Sequence, residues 1–181
     1  PLPMAGGWIT PALPLIMAGA VLLALSHHAG LRFNVTPSMP VGLYRLVEGL
    51  PDRGDPVAFR LDGNGPFSRL ADDRHYLPGS RCPLLKKLAA LPGDTLVIDA
   101  EGIHILPPGG ADFRLWPHSR IKTVDSQGRP VPSALTAGVI PPGQALTLGQ
   151  HPGSFDSRYF GFVPLAALHK AEPVWIFTPA R

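Results

Sequence analysis

The chain has 181 residues, a net charge of +3 and only 16% charged side chains. That is long enough for one domain with a real core, and there is no Lys/Arg-rich run of the kind that marks a nucleic-acid surface. Its 23 prolines and 20 glycines exclude long helices beyond the first segment, because proline is poorly tolerated inside helices and central strands.

Residues 1–31 contain no Asp, Glu, Lys or Arg, and Trp8 to Ser26 is a stretch of mostly apolar residues near the minimum length that crosses a bilayer. Pro11 and Pro14 would break a soluble helix but are tolerated in a membrane span. Trp8 and His27-His28 at its ends suit the two interfaces. A cleavable signal peptide is the competing reading; Ala18-Gly19-Ala20 lies mid-run rather than after it, so an uncleaved anchor over 1–31 is preferred.

From Arg32 onward the pattern is that of short strands, with candidates at 43–47, 57–61, 95–99, 103–106, 145–148, 159–163 and 174–177. Ala100-Glu101-Gly102 reads as a hairpin turn between the third and fourth of these. Asp62-Gly63-Asn64-Gly65-Pro66 and Pro107-Pro108-Gly109-Gly110 read as loops, and Asp125-Ser126-Gln127-Gly128 as a turn. The segment 83–91 is ambiguous. Leu84, Leu85, Leu88 and Leu91 stand at helical spacing, yet a strand buried on both faces has the same composition, and pattern alone leans to helix.

Cys82 is the only cysteine, so an internal disulfide and a CxxC site are excluded; as a nucleophile it has no evident His partner. The seven histidines show no metal-ligand spacing, and no metal or other cofactor is expected.

Three short stretches carry the chemistry, and each is unspecific alone. Ser38, in Thr36-Pro37-Ser38-Met39-Pro40, follows the apolar span by 12 residues, which places a hydroxyl at the membrane surface. A serine needs a base to become a nucleophile, and a neutral lysine can serve. Free lysine titrates near 10.4 and burial lowers that value. Lys86 and Lys87 lie in an apolar setting between Leu85 and Leu88, and the pattern does not choose between them. Thr36 can offer a hydroxyl to a developing oxyanion beside the Ser38 backbone N–H. Far downstream comes Ser154-Phe155-Asp156-Ser157-Arg158-Tyr159-Phe160-Gly161.

In this order the three stretches resemble the signal peptidase I superfamily of Ser/Lys proteases over essentially residues 8–178. The interval to Leu91-Pro92-Gly93-Asp94 picks Lys86, with Lys87 as its basic follower. Asn34 to Tyr44, His75 to Lys86 and Asp125-Ser126-Gln127-Gly128-Arg129-Pro130-Val131-Pro132 are most similar to the conjugative-transfer branch, the TraF type. The resemblance implies a mainly β fold, a signal-peptidase-like β catalytic domain over 32–181 after one N-terminal transmembrane helix, with 83–91 as a strand.

The resemblance further implies Ser38 as nucleophile, Lys86 as general base, and Thr36 with the Ser38 N–H as oxyanion hole. Ser154 would orient the lysine, and Asp156 and Arg158 would form a supporting ion pair. The implied setting is the bacterial inner membrane, single-pass, with the catalytic domain on the periplasmic side. The implied partners are the lipid bilayer and an exported precursor, a pilin subunit first, which some members also close into a ring. Gly149-Gln150-His151-Pro152-Gly153 replaces the G-D-N-R lead-in of the housekeeping enzymes, and the insert between the lysine box and the last box is short. Both features count against a general signal peptidase. An inactive membrane-tethered scaffold is the reading from a different class.

Overall fold

The computed structural model describes residues 28–77 and 82–177, with Pro14, Ile16, Met17 and Gly19 ahead of them. The expected anchor over 1–31 falls mostly outside these residues, and among the described residues no helix is long and apolar enough to cross a membrane.

In chain order the elements are β1 (Leu31–Asn34), β2 (Gly42–Leu46), β3 (Pro56–Phe59), α1 (Pro66–Asp73), β4 (Leu84–Ala90), β5 (Thr95–Ile98), β6 (Ile103–Leu106), β7 (Arg114–Leu115), β8 (Gly138–Val139), β9 (Gln144–Leu148), α2 (Ser157–Phe160), β10 (Val163–Pro164) and β11 (His169–Ile176). The larger sheet runs β1-β2-β11-β3-β4-β9-β10 and the smaller β7-β6-β5-β8, with all pairings antiparallel. The mainly β expectation holds. The 95–98/103–106 hairpin forms where the sequence places it, its turn held by Asp99 Oδ1 accepting the Glu101 and Gly102 N–H groups.

The helical lean of the pattern over 83–91 is wrong, and the strand that the resemblance implies there is what forms. β4 lies between β3 and β9, with Lys86 opposite Val57 and Leu88 beside Thr147. Leu84 and Leu88 pack with Val57, Phe59 and Ala145, while Ala89 and Ala90 join Leu96, Ile103, Leu146 and Leu148 against the smaller sheet. Burial alternates from Leu84 to Leu88 and only Leu88 to Ala90 are covered in succession, so the leucines fell at helical spacing by coincidence.

The strand expected over 159–163 is also corrected. Asp156 accepts the Arg158 N–H at the start of α2, and Gly161, at φ +80, ends it, leaving only Val163–Pro164 as strand. Side-chain capping gives this backbone an alternative to the ladder. The sequence reading missed α1, which opens on Pro66, a residue suited to a helix's first turn. It also placed β11 too late. That strand begins at His169, pairs first with β3 and then with β2, and its register shifts between Pro173 and Trp175, where proline has no N–H to give.

Candidate active site

Ser38 sits in the turn between β1 and β2, and a buried amide shapes that turn. Asn34 Nδ2 donates to the carbonyls of Thr36 (2.9 Å), Met39 (2.9 Å) and Pro40 (3.1 Å). Three carbonyls around one nitrogen fix which end of the amide faces them. Asn34 Oδ1 accepts the Thr36 hydroxyl at 3.1 Å, and the Thr36 and Ser38 hydroxyl oxygens lie 2.9 Å apart. Thr36 has one proton, and it goes to Asn34. In this state the Ser38 hydroxyl is therefore the donor to Thr36. Tyr44 adds a bond from its hydroxyl to the Pro40 carbonyl.

Lys86 points from β4 into the same cleft. The residue is 4% exposed, and Nζ donates to Ser154 Oγ at 3.0 Å. Burial pushes its pKa down from 10.5 to about 8, against the nearby Asp156 charge, which raises it, and with Arg158, which lowers it further. At neutral pH a usable fraction is then neutral, as a general base requires. Lys87, on the other side of the strand, donates from the surface to the Gly54 carbonyl. The alternative that the pattern left open is thus separated: of the two lysines, Lys86 alone lines the cleft.

The loop carrying Ser154 is clamped from below. Asp156 and Arg158 are fully buried and paired, Nε to Oδ1 at 2.8 Å and Nη2 to Oδ2 at 2.9 Å. Arg158 also donates to the carbonyls of His118, His151, Pro152 and Ser154. Asp156 Oδ2 accepts the Gly149 N–H at 2.8 Å, and the neighbouring Gln150 N–H donates to the Ser38 carbonyl at 2.7 Å. A buried ion pair whose remaining donors and acceptors are satisfied fixes geometry. Here it ties the Ser154 loop and the Ser38 turn into one body. Asp156 and Arg158 do not line the cleft.

The cleft holds about 330 Å³ and is lined by Thr36, Ser38, Lys86, Ser154, His151 and Phe155 among others. A nucleophile, a depressed-pKa amine and a hydroxyl beside a backbone N–H are the components of acyl transfer through a covalent intermediate. Four of the residues expected from sequence meet here, and the other two support them.

Sequence reasoning missed Asn34 and Gly149. A Cβ on Gly149 would collide with Ser154 Oγ and lie 3.1 Å from the Ser38 carbonyl. Gly149→Ala is expected to lower kcat/KM about a hundredfold with folding retained, because it pushes Ser154, the partner of Lys86, by about 1 Å; circular dichroism beside a kinetic assay checks both halves. Asn34→Leu removes the three bonds to the turn. It is expected to lower kcat at least about tenfold with little change in KM and to cost about 2–3 kcal/mol in denaturant titration.

The signal peptidase family, peptidase S26, matches residues 6–176. The conjugal transfer protein TraF of Agrobacterium fabrum (strain C58) is 35% identical over 179 residues, covering 91% of this chain and 92% of that protein. A plasmid transfer protein TraF of Escherichia coli is 34% identical over 157 residues, covering 81% and 80%. A crystal structure of a signal peptidase I from Enterococcus faecalis aligns over 73% of this chain and 100% of that one, with a TM-score of 0.40 and 21% identity.

Proposed function

This chain belongs to the signal peptidase family, peptidase S26, and on that basis we propose that it is a membrane-anchored serine endopeptidase that cleaves an exported precursor, most specifically a conjugative pilin subunit. The observation that carries the reading is the buried Lys86 amine beside Ser154, in one cleft with Ser38. The relatives' names, conjugal and plasmid transfer proteins, point to conjugation, and a pilin is the exported precursor proposed for that role.

In the proposed mechanism neutral Lys86 takes the Ser38 proton as Oγ attacks the scissile carbonyl. The oxyanion forms against the Ser38 N–H and the Thr36 hydroxyl, which turns away from Asn34 to meet it. Collapse expels the amine, which takes the proton back from Lys86, and leaves an acyl-enzyme on Ser38. Water then releases a linear product, or the precursor's own amine attacks the ester, forming an amide and restoring the Ser38 hydroxyl. Ser154 orients the lysine, and the Asp156–Arg158 pair holds Ser154.

Residues 1–31 are the proposed anchor in the bacterial inner membrane, and 32–181 the periplasmic domain. An apolar surface supports this seating: Phe33, Val35, Val174, Trp175, Ile176 and Phe177 are all exposed on β1, β11 and the segments that follow them, with Phe33 and Phe177 stacked at 6.2 Å. Contiguous exposed apolar side chains mark a surface meant to be covered.

The test is the intact mass of a conjugative pilin precursor co-expressed with this protein. A shortened product supports the peptidase, and a product one water lighter than the linear form adds ring closure. An untouched pilin beside a cleaved general signal-peptide substrate would transfer the role to general signal-peptide removal.

A further inference from the structure

The Asp125–Pro132 motif has no part in the proposed chemistry, yet it is a built structure. Asp125 Oδ1 accepts the Gln127 and Arg129 N–H groups, and Oδ2 accepts the Tyr76 hydroxyl and Arg129 Nε, both at 2.7 Å. Arg74 donates to the Pro130 carbonyl at 2.7 Å. The loop therefore stands as a fixed wall rather than a loose turn.

Behind that wall lies a second cavity of about 440 Å³, lined by Val124, Val131, Lys122, Phe155 and Tyr159. Phe155 and Tyr159 stack at 5.8 Å, and Tyr76 packs on Phe155 at 5.2 Å. Tyr76, Phe155 and Gly153 line both this cavity and the cleft of Ser38 and Lys86. The two spaces are thus neighbours that share one aromatic ridge, Tyr76 and Phe155. Asp125 also lines the second cavity, but its carboxylate is engaged by Arg74 and Arg129, while among the described residues Lys122 at the rim forms no ion pair, so the charge left over there is positive.

We propose that this cavity is a second subsite of the peptidase, receiving an aliphatic or aromatic side chain of the precursor that has a carboxylate beside it. The inference rests on the peptidase reading above. The occupant is the substrate because the cavity adjoins the catalytic cleft across that ridge, and an extended chain advances about 3.3–3.6 Å per residue, so residues a few positions from the scissile bond reach it. The rings and valines bury the apolar side chain, and the Lys122 charge selects the acidic neighbour. Tyr76 holds the ridge in place through its bond to Asp125, so the loop sets specificity rather than rate.

The test uses two peptides from whichever precursor the mass experiment shows to be processed. One is confined to the residues flanking the scissile bond, and the other extends well beyond them on both sides. Val131→Trp fills the cavity and is expected to lower the long-to-short ratio of kcat/KM about tenfold. A general folding defect would lower both values and leave that ratio alone. Lys122→Glu is expected to reverse the preference between long peptides carrying Asp and those carrying Lys at the bound position. Unchanged ratios in both variants would overturn the subsite. Failure of the wild-type protein to process any precursor would instead remove the peptidase reading, and the subsite with it.

Discussion

Ser38→Ala is expected to abolish precursor processing, a loss of at least about 10⁴-fold, while the protein keeps its fold and its affinity for the precursor. Removing an attacking oxygen takes away the covalent route altogether, and residual binding and oxyanion stabilisation leave only a small rate. The structure indicates why the fold survives. The turn is held by the Asn34 amide on three carbonyls and by the Gln150 N–H on the Ser38 carbonyl, and none of these bonds uses the Ser38 side chain. Intact-mass measurement after co-expression, with binding of the precursor to the variant measured separately, checks both parts. Processing by Ser38→Ala would end the nucleophile assignment; loss of binding as well would make the residue structural.

Lys86→Met is expected to be as inactive as Ser38→Ala, and more stable than the parent at neutral pH. The folded chain gives up the Lys86 proton near pH 8 and the unfolded chain near 10.5. Between those values the unfolded state holds more protons, so stability rises with pH, and below pH 8 the whole cost is present. At 1.36 kcal/mol per unit that cost is about 3 kcal/mol. Losing the bond to Ser154 offsets about 1 kcal/mol of the gain, so Lys86→Met should be about 2 kcal/mol more stable at pH 7. The advantage should vanish as the pH approaches 10.5. Denaturant midpoints at several pH values read this directly, and a variant less stable than the parent at pH 7 would mean a charged, well-paired lysine. Lys87→Ala removes only a surface bond to the Gly54 carbonyl and should stay active.

The candidate site was legible in the sequence through the resemblance, whose motifs are fixed local intervals; the residue pattern by itself left Lys86 and Lys87 open. The spacing from Leu91-Pro92-Gly93-Asp94 to Lys86 is reliable because the turn is rigid. Asp94 is fully buried, accepts the Leu91 N–H and pairs with Arg53, so β4 leaves it in a set register. Asp156 and Arg158 were legible for a similar reason, being two residues apart on one capped turn.

What escaped depends on how the chain closes on itself in space, over a few residues at Asn34 and between distant segments at Gly149. Asn34 looks like any polar residue at a strand end until the chain turns back and brings three carbonyls to its amide. Gly149 looks like a loop glycine until Ser154 and the Ser38 carbonyl close around it. The misread strand at 159–163 has strand-like composition, but its Tyr159 and Phe160 rings are spent on the cluster with Ala71 and Phe155, and the Asp156 cap decides its backbone. The wall formed by the Asp125 loop needed Tyr76, 49 residues earlier, to give it a purpose.

The most direct measurement is the pH dependence of kcat/KM on a processed precursor. The free-enzyme profile reports the base in its unliganded state, and Lys86 predicts a single rise with its midpoint near 8. His151 lines the same cleft and is the base that a different mechanism would use. A midpoint well below 8, or a flat profile, would contradict the lysine mechanism.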